Sequence, residues 1–114
     1  MKHSPTFRRI EGLVSKLNEK QHIHGMSDFI DGIAKRLDEG AKEYGDKSYS
    51  KNDIELLEEV RQELYDIPGW LTIYQVNIEN NNFLTSREKV RRIKKIAEIC
   101  IDCAEINNKL KDLL

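Results

Sequence analysis

Proline and glycine are scarce in this chain, with two and six occurrences in 114 residues. No run of alternating apolar and polar residues accompanies them, so the β-strand period is missing and the patterns present have helical spacing. Long apolar stretches are absent too, none approaching the roughly 20 residues that span a bilayer. The first residues, Met-Lys-His-Ser-Pro-Thr, lack the apolar run of a secretory signal. The expectation is a cytoplasmic protein with no membrane partner. Charge of one sign is missing as well. Nineteen basic and 20 acidic residues leave a net charge of -1, which points to no polyanionic partner and argues against nucleic acid. Any electrostatic function must come from local patches.

Cysteine is nearly absent. Cys100 and Cys103 form one C-x-x-C inside an apolar helical stretch. A redox pair belongs at a helix start after a strand, where the dipole lowers the thiol pKa, and no strand precedes this one. A structural zinc site needs two more ligands, and there is no second C-x-x-C. The two cysteines read as ordinary helix residues, at least one of them in the core. His22 and His24, in "KQHIHG", lack a third ligand and read as surface residues of a polar loop. No Walker loop, G-x-G-x-x-G or Ser-His-Asp arrangement occurs.

Four amphipathic segments remain. The first is predicted over about 6–20, with Phe7, Ile10, Leu13, Val14 and Leu17 as its stripe. The second, 27–44, starts at Ser27 as N-cap and buries Phe29, Ile30, Ile33, Ala34, Leu37 and Ala41, ending at Tyr44-Gly45. A polar loop closes with Ser50 or Asn52 as the next cap. The third helix, 52–79, carries Ile54, Leu57, Val60, Leu64, Ile67, Leu71, Tyr74 and Ile78 in unbroken steps of three and four. That register crosses Pro68-Gly69, so the spacing predicts a kinked helix rather than a stop. Thr85 and Glu88 form a capping box for the last helix, 86–112. Its inward positions are Val90, Ile93, Ala97, Cys100, Ala104 and Leu110, with fraying at Asn107-Asn108. The expected fold is a single all-α domain, a four-helix bundle. Its core is narrow for 114 residues, so burial of a second face by homo-oligomerisation, as a dimer or higher, is expected.

Acids are plentiful, and their positions matter. On a helical wheel Glu59, Glu63 and Asp66 stack along one flank of the third helix's apolar stripe; Glu55 extends the row and Glu58 lies away from it. Like charges at this spacing repel by a few tenths of a kcal/mol per pair. A hard divalent cation converts that repulsion into ligation. On the second helix Asp38, Glu39, Glu43 and Asp46 lie near the end, and Glu39 and Glu43 share a face. Facing helices are how bundles build metal sites. The plain alternative is a solvated surface neutralised by Lys35, Arg36, Lys42, Lys51 and Arg61.

The stretch "EGAKEYGDKSYSKNDIELLEEVRQELYDIPGWLTIY" resembles the all-α nucleoside triphosphate pyrophosphohydrolases of the MazG-like group, in their small phage and bacterial versions. The shared features are Glu43-Tyr44-Gly45 closing a helix, a short polar loop, and Glu63-Leu64-Tyr65-Asp66 followed by Trp70. The resemblance spans about residues 28 to 78. It implies an oligomeric, Mg²⁺-dependent enzyme (Mn²⁺ as a substitute) that cleaves a (deoxy)nucleoside triphosphate to monophosphate and pyrophosphate. For a phage protein the site of action would be the host cytoplasm. Glu63 and Asp66 match the family's E-x-x-D metal motif. The E-E-x-x-E motif of the preceding helix is matched imperfectly: Glu43 follows Glu39 by four residues, not three. The resemblance thus implies Glu39, Glu43, Glu63 and Asp66 as metal ligands, with Glu59 as general base or as a substitute ligand. Lys42 and Lys47 lie near enough in sequence to contact phosphates, and Trp70 or Tyr74 to stack on a base, the alternatives being solvated lysines and packed aromatics.

Arg87, Lys89, Arg91, Arg92, Lys94 and Lys95 crowd nine residues of the last helix. Arg91, Lys94 and Lys95 share a side, which suits nucleotide phosphates, or else a solvated face paired with Glu88 and Glu98. Against the hydrolase stands a second class of function: a non-catalytic helical bundle that binds a protein or nucleic acid.

Overall fold

A computed structural model describes residues 11–45 and 47–113, apart from the side chains of Tyr44 and Ser48. The protein is all-α. In chain order come α1 (Glu11–Asn18), α2 (Met26–Tyr44), a single 3₁₀ turn (Lys47–Ser50), α3 (Asp53–Glu79) and α4 (Ser86–Lys111). The chain divides after Lys51 into two compact units, each built on one helix pair. The expected start of the first helix at Thr6, with Phe7 and Ile10, lies outside the described residues.

In the first unit α1 packs on α2, and among its described residues Val14 and Ile30 are the buried ones. A chain of turns joins them, with Lys20 N donating to Leu17 O and Ile23 N to Lys20 O, both at 2.9 Å. Ser27 does not cap α2. The helix starts one residue earlier, because Gly25 adopts φ 80° and turns the chain into Met26 without any side-chain cap. Phe29, expected inward, is 63% exposed, while its neighbour Ile30 takes the buried position. At the other end Gly45 N donates to Ala41 O at 2.9 Å. Gly45 itself sits at φ 62°, ψ −142°, a region open essentially to glycine alone.

The second unit is a helical hairpin. Asn52 caps α3: its Oδ1 accepts from Glu55 N at 2.9 Å and its Nδ2 donates to Glu55 Oε1 at 2.8 Å. The helix then runs 27 residues through Pro68 without interruption, as the apolar register requires. Thr72 Oγ1 donates back to Pro68 O at 2.8 Å. In the connection Phe83 N donates to Asn81 Oδ1 at 2.8 Å, and Thr85 Oγ1 caps α4 by accepting from Glu88 N at 3.1 Å. Lys89 Nζ donates to Glu79 O at 3.0 Å, placing a cation on the C-terminal end of α3. α4 does not fray at Asn107-Asn108; it continues to Lys111.

The burial pattern resolves the α3 stripe into two. Leu57, Arg61, Leu64, Pro68, Leu71, Gln75 and Ile78 are covered, at alternating steps of four and three. On α4 Lys89, Ile93, Ile96, Cys100, Cys103, Asn107 and Leu110 are covered at the same steps, with Glu88 and Arg92 half-buried beside them. Both sets repeat every seven residues, the period of a coiled-coil seam. Ile78, at 1% exposure, is its most enclosed member. Ile54, Val60, Ile67 and Tyr74, expected in the same stripe, are exposed, and so is Val90 on α4. Ala97 and Ala104 are exposed as well. One packed neighbour covers only a narrow strip of a helix, so a broad apolar arc stays partly in solvent. Cys103 is buried in the seam and Cys100 half-buried, as ordinary helix residues are.

Candidate carboxylate site

α3 presents its acids to solvent, and local partners occupy the first of them. Glu55 belongs to the Asn52 cap, and Glu58 takes Arg61 Nη1 at 3.0 Å. Glu59, Glu63 and Asp66 follow, all exposed. Among the described residues no ion pair or side-chain hydrogen bond engages Glu63 or Asp66. At 100° per residue, Glu59 and Asp66 face directly away from the covered seam, and Glu63 turns toward Val60 and Ile67. The acids therefore lie farther round the helix than the flank expected of them.

Trp70 stands one turn beyond Asp66 and two beyond Glu63, with 71% of its surface exposed. It fills no core. Two carboxylates and an indole thus succeed one another along a single open face of α3. Tyr74 lies on the next turn, where its hydroxyl accepts from Arg92 Nη1 at 3.1 Å.

Glu39 and Glu43 are one turn apart on α2, both exposed, in the first unit. Glu39 accepts from Arg36 Nη1 at 3.2 Å, the local pairing expected of a solvated acid. Lys42 lies in the last turn of α2 and Lys47 opens the 3₁₀ turn, both exposed. Asp46 lies outside the described residues. Arg91 and Lys94 are exposed on α4, but their helical phase directs them away from the seam on the outer side of that helix. Both helices of the hairpin separate them from Glu59 and Asp66, so they do not join those acids. Lys95 is paired with Glu98 at 3.1 Å. His22 and His24 are exposed in the α1–α2 turns.

The donor chemistry suits magnesium, which takes carboxylate and water oxygens and is often held by only one or two carboxylates plus substrate phosphates. Glu63 and Asp66 meet that minimum. Within either unit, the described His, Cys, Asp and Glu side chains form no group of three or more arranged to hold a metal ion. A site here would be an open one, completed by water and by the phosphates themselves.

Sequence reading passed over Phe83, which is 98% exposed at the hairpin tip. A shallow hollow lined by Tyr74, Asn77, Asn80, Asn81, Asn82 and Phe83 lies beside it. The run of asparagines around one aromatic was its only signal.

No family model, curated protein or solved structure matches the chain. Among the described residues no helix is long and apolar enough to cross a membrane.

Proposed function

We propose that the protein is a Mg²⁺-dependent hydrolase that splits a (deoxy)nucleoside triphosphate into monophosphate and pyrophosphate in the cytoplasm. The observation that carries this reading is the succession Glu63, Asp66, Trp70 on one exposed face of α3. It offers two oxygen ligands that no cation among the described residues engages and, a turn away, an open aromatic surface on which a base can stack. The MazG-like resemblance of the same segment supports it.

A bound Mg²⁺ supplies charge neutralisation of the triphosphate and stabilisation of the pyrophosphate as it leaves. Glu63 and Asp66 would hold the ion, and Trp70 would position the nucleotide base. Glu59, one turn before Glu63, acts as general base by taking a proton from the attacking water. Mn²⁺ is an acceptable substitute for Mg²⁺. The resemblance adds Glu39 and Glu43 as ligands and Lys42 and Lys47 as phosphate contacts, all four on the first unit.

The test is incubation with each (deoxy)nucleoside triphosphate and Mg²⁺, reading monophosphate and pyrophosphate. Turnover lost in Glu63→Gln and Asp66→Asn supports the reading. Turnover no higher than in those variants ends it.

The second reading, a non-catalytic helical protein that binds a partner, draws on a different observation: large apolar side chains stand exposed on α2, α3 and α4, among them Phe29, Trp70 and Ile101. Trp70 tells the two apart. In an enzyme Trp70→Ala raises KM with the fold intact, whereas in a binding module it abolishes a complex and no turnover exists to change.

A further inference from the structure

The near-neutral total hides a separation of charge within the α3–α4 hairpin. Between Ile67 and Ala97, the half nearest the tip, six lysines and arginines stand against two acids, whereas residues 52–66 and 98–114 carry ten acids and three bases. Arg87, Arg91 and Lys94 follow one another on α4 at steps of four and three. All three are exposed, and among the described residues no acid pairs with them. Stability does not ask for this arrangement, because the start of a helix favours acids over cations. At the tip Phe83 is 98% exposed, and its amide donates to Asn81 Oδ1 at 2.8 Å. The hollow lined by Tyr74, Asn77, Asn80, Asn81, Asn82 and Phe83 has no charged side chain in its wall. Among the described residues nothing bonds the side-chain amides of Asn77, Asn80 and Asn82. Arg92 borders the hollow through its hydrogen bond to the Tyr74 hydroxyl, which keeps its own proton to donate.

We propose that the hairpin tip is a binding surface for single-stranded nucleic acid. Arg87, Arg91 and Lys94 contact phosphates, Phe83 stacks on a base, and the unbonded asparagine amides meet base edges. Each group matches one chemical part of that ligand. Phosphates take cations whatever the sequence. A base offers a flat face to an aromatic ring, and its edge carries donors and acceptors that a carboxamide, having both, can pair. Stacking on a protein ring needs a base that has left its neighbours, which selects a single strand over a duplex. Other occupants fit less well. A lipid surface would take Phe83 only by stripping water from the asparagines around it. The chain's own first unit lacks the complementary charge, since residues 1–51 hold ten basic and eight acidic side chains.

This inference does not rest on the hydrolase reading, and binding is measured in EDTA, which removes the magnesium that reading needs. The full chain is titrated into fluorescein-labelled oligouridine and oligodeoxythymidine of about 12 nucleotides, with anisotropy as the readout. Saturable binding is expected, its log affinity falling against log salt with a slope of about −2, the value for three phosphate contacts on a single strand. Phe83→Ala should weaken binding about tenfold and leave that slope unchanged. Arg87→Gln and Arg91→Gln together should flatten the slope to about a third. The replaced side chains are all exposed, so circular dichroism should keep its helical signal. Binding to one strand type alone supports the proposal and assigns the sugar. No binding at about 50 mM salt overturns it, as does an affinity unmoved by Phe83→Ala. A duplex that competes as well as the single strand overturns it too. Capture by vesicles of phosphatidylserine in phosphatidylcholine, with no oligonucleotide bound, overturns it in favour of a lipid surface.

Discussion

The Tyr74 hydroxyl accepts a hydrogen bond from Arg92 Nη1 at 3.1 Å across the two helices of the hairpin. It is a side-chain contact between residues 18 apart in sequence, and it records how α4 lies on α3. Tyr74→Phe removes the acceptor and keeps the ring. Because both groups reach water, the expected loss is modest, about 1 kcal/mol or less. Urea unfolding of wild type and variant measures it.

The two glycines with positive φ should not be equivalent. Gly25 (φ 80°, ψ 4°) occupies the left-handed region that other residues enter at some cost, whereas Gly45 (φ 62°, ψ −142°) lies where a Cβ is scarcely accepted. Gly25→Ala should cost about 1 kcal/mol and Gly45→Ala more, up to about 3 kcal/mol. Neither substitution meets a neighbouring atom within 4 Å, so the difference isolates the backbone term. Thermal melts of the two variants would check the order.

Caps hold both starts of the hairpin. Thr85→Ala orphans the Glu88 amide and Asn52→Ala the Glu55 amide, each at about 1 kcal/mol. Thr85→Ser restores the hydroxyl and should recover most of the loss. Hydrogen exchange at Glu88 and Glu55 reads this locally, and equal protection in Thr85→Ala and wild type would refute the cap's contribution.

Burial chiefly, with help from Cys100 and Asp102, pushes the Cys103 thiol above its ordinary value of 9.0. Below 9.0 the thiol is protonated folded and unfolded alike and contributes no pH dependence. As pH rises through that value the unfolded chain ionises first, so stability falls until the folded thiol also titrates. Cys103→Ala should flatten this alkaline decline. A thiol-reactive dye should label half-buried Cys100 well before Cys103.

The helix ends were legible in the sequence because short-range chemistry sets them. Asn52, Thr85 and Gly45 act within four residues, and the continuous apolar register carried α3 through Pro68. Ser27 misled because the φ of Gly25, rather than a hydroxyl, opens α2. What the spacing could not resolve was the division of the α3 arc. Leu57, Leu64, Leu71 and Ile78 alternate with Val60, Ile67 and Tyr74, and both sets fit one broad helical stripe. Only the position of α4 decides which set is covered. The acid row was readable for the same local reason, and so were the pairings of Arg36 with Glu39 and Arg61 with Glu58. The separation of Arg91 and Lys94 from the acids was not, since it depends on the phase of two helices that sequence gives one at a time.

Asn107 sits in the covered seam with its Oδ1 buried and without a hydrogen-bond partner among the described residues. Replacing it by leucine should stabilise the hairpin by about 1 kcal/mol or more, because an orphaned buried acceptor is relieved. Yet a seam repeating every seven residues resembles a zip whose apolar teeth are much alike. Slid by one repeat, the leucines of α3 would again meet isoleucine, cysteine or leucine of α4, and the helices would close one notch out of place. An amide that tolerates few neighbours makes each wrong notch costlier than the right one. The weakest point of the seam then joins Arg61, Gln75 and Lys89 in telling α4 where along α3 to stop.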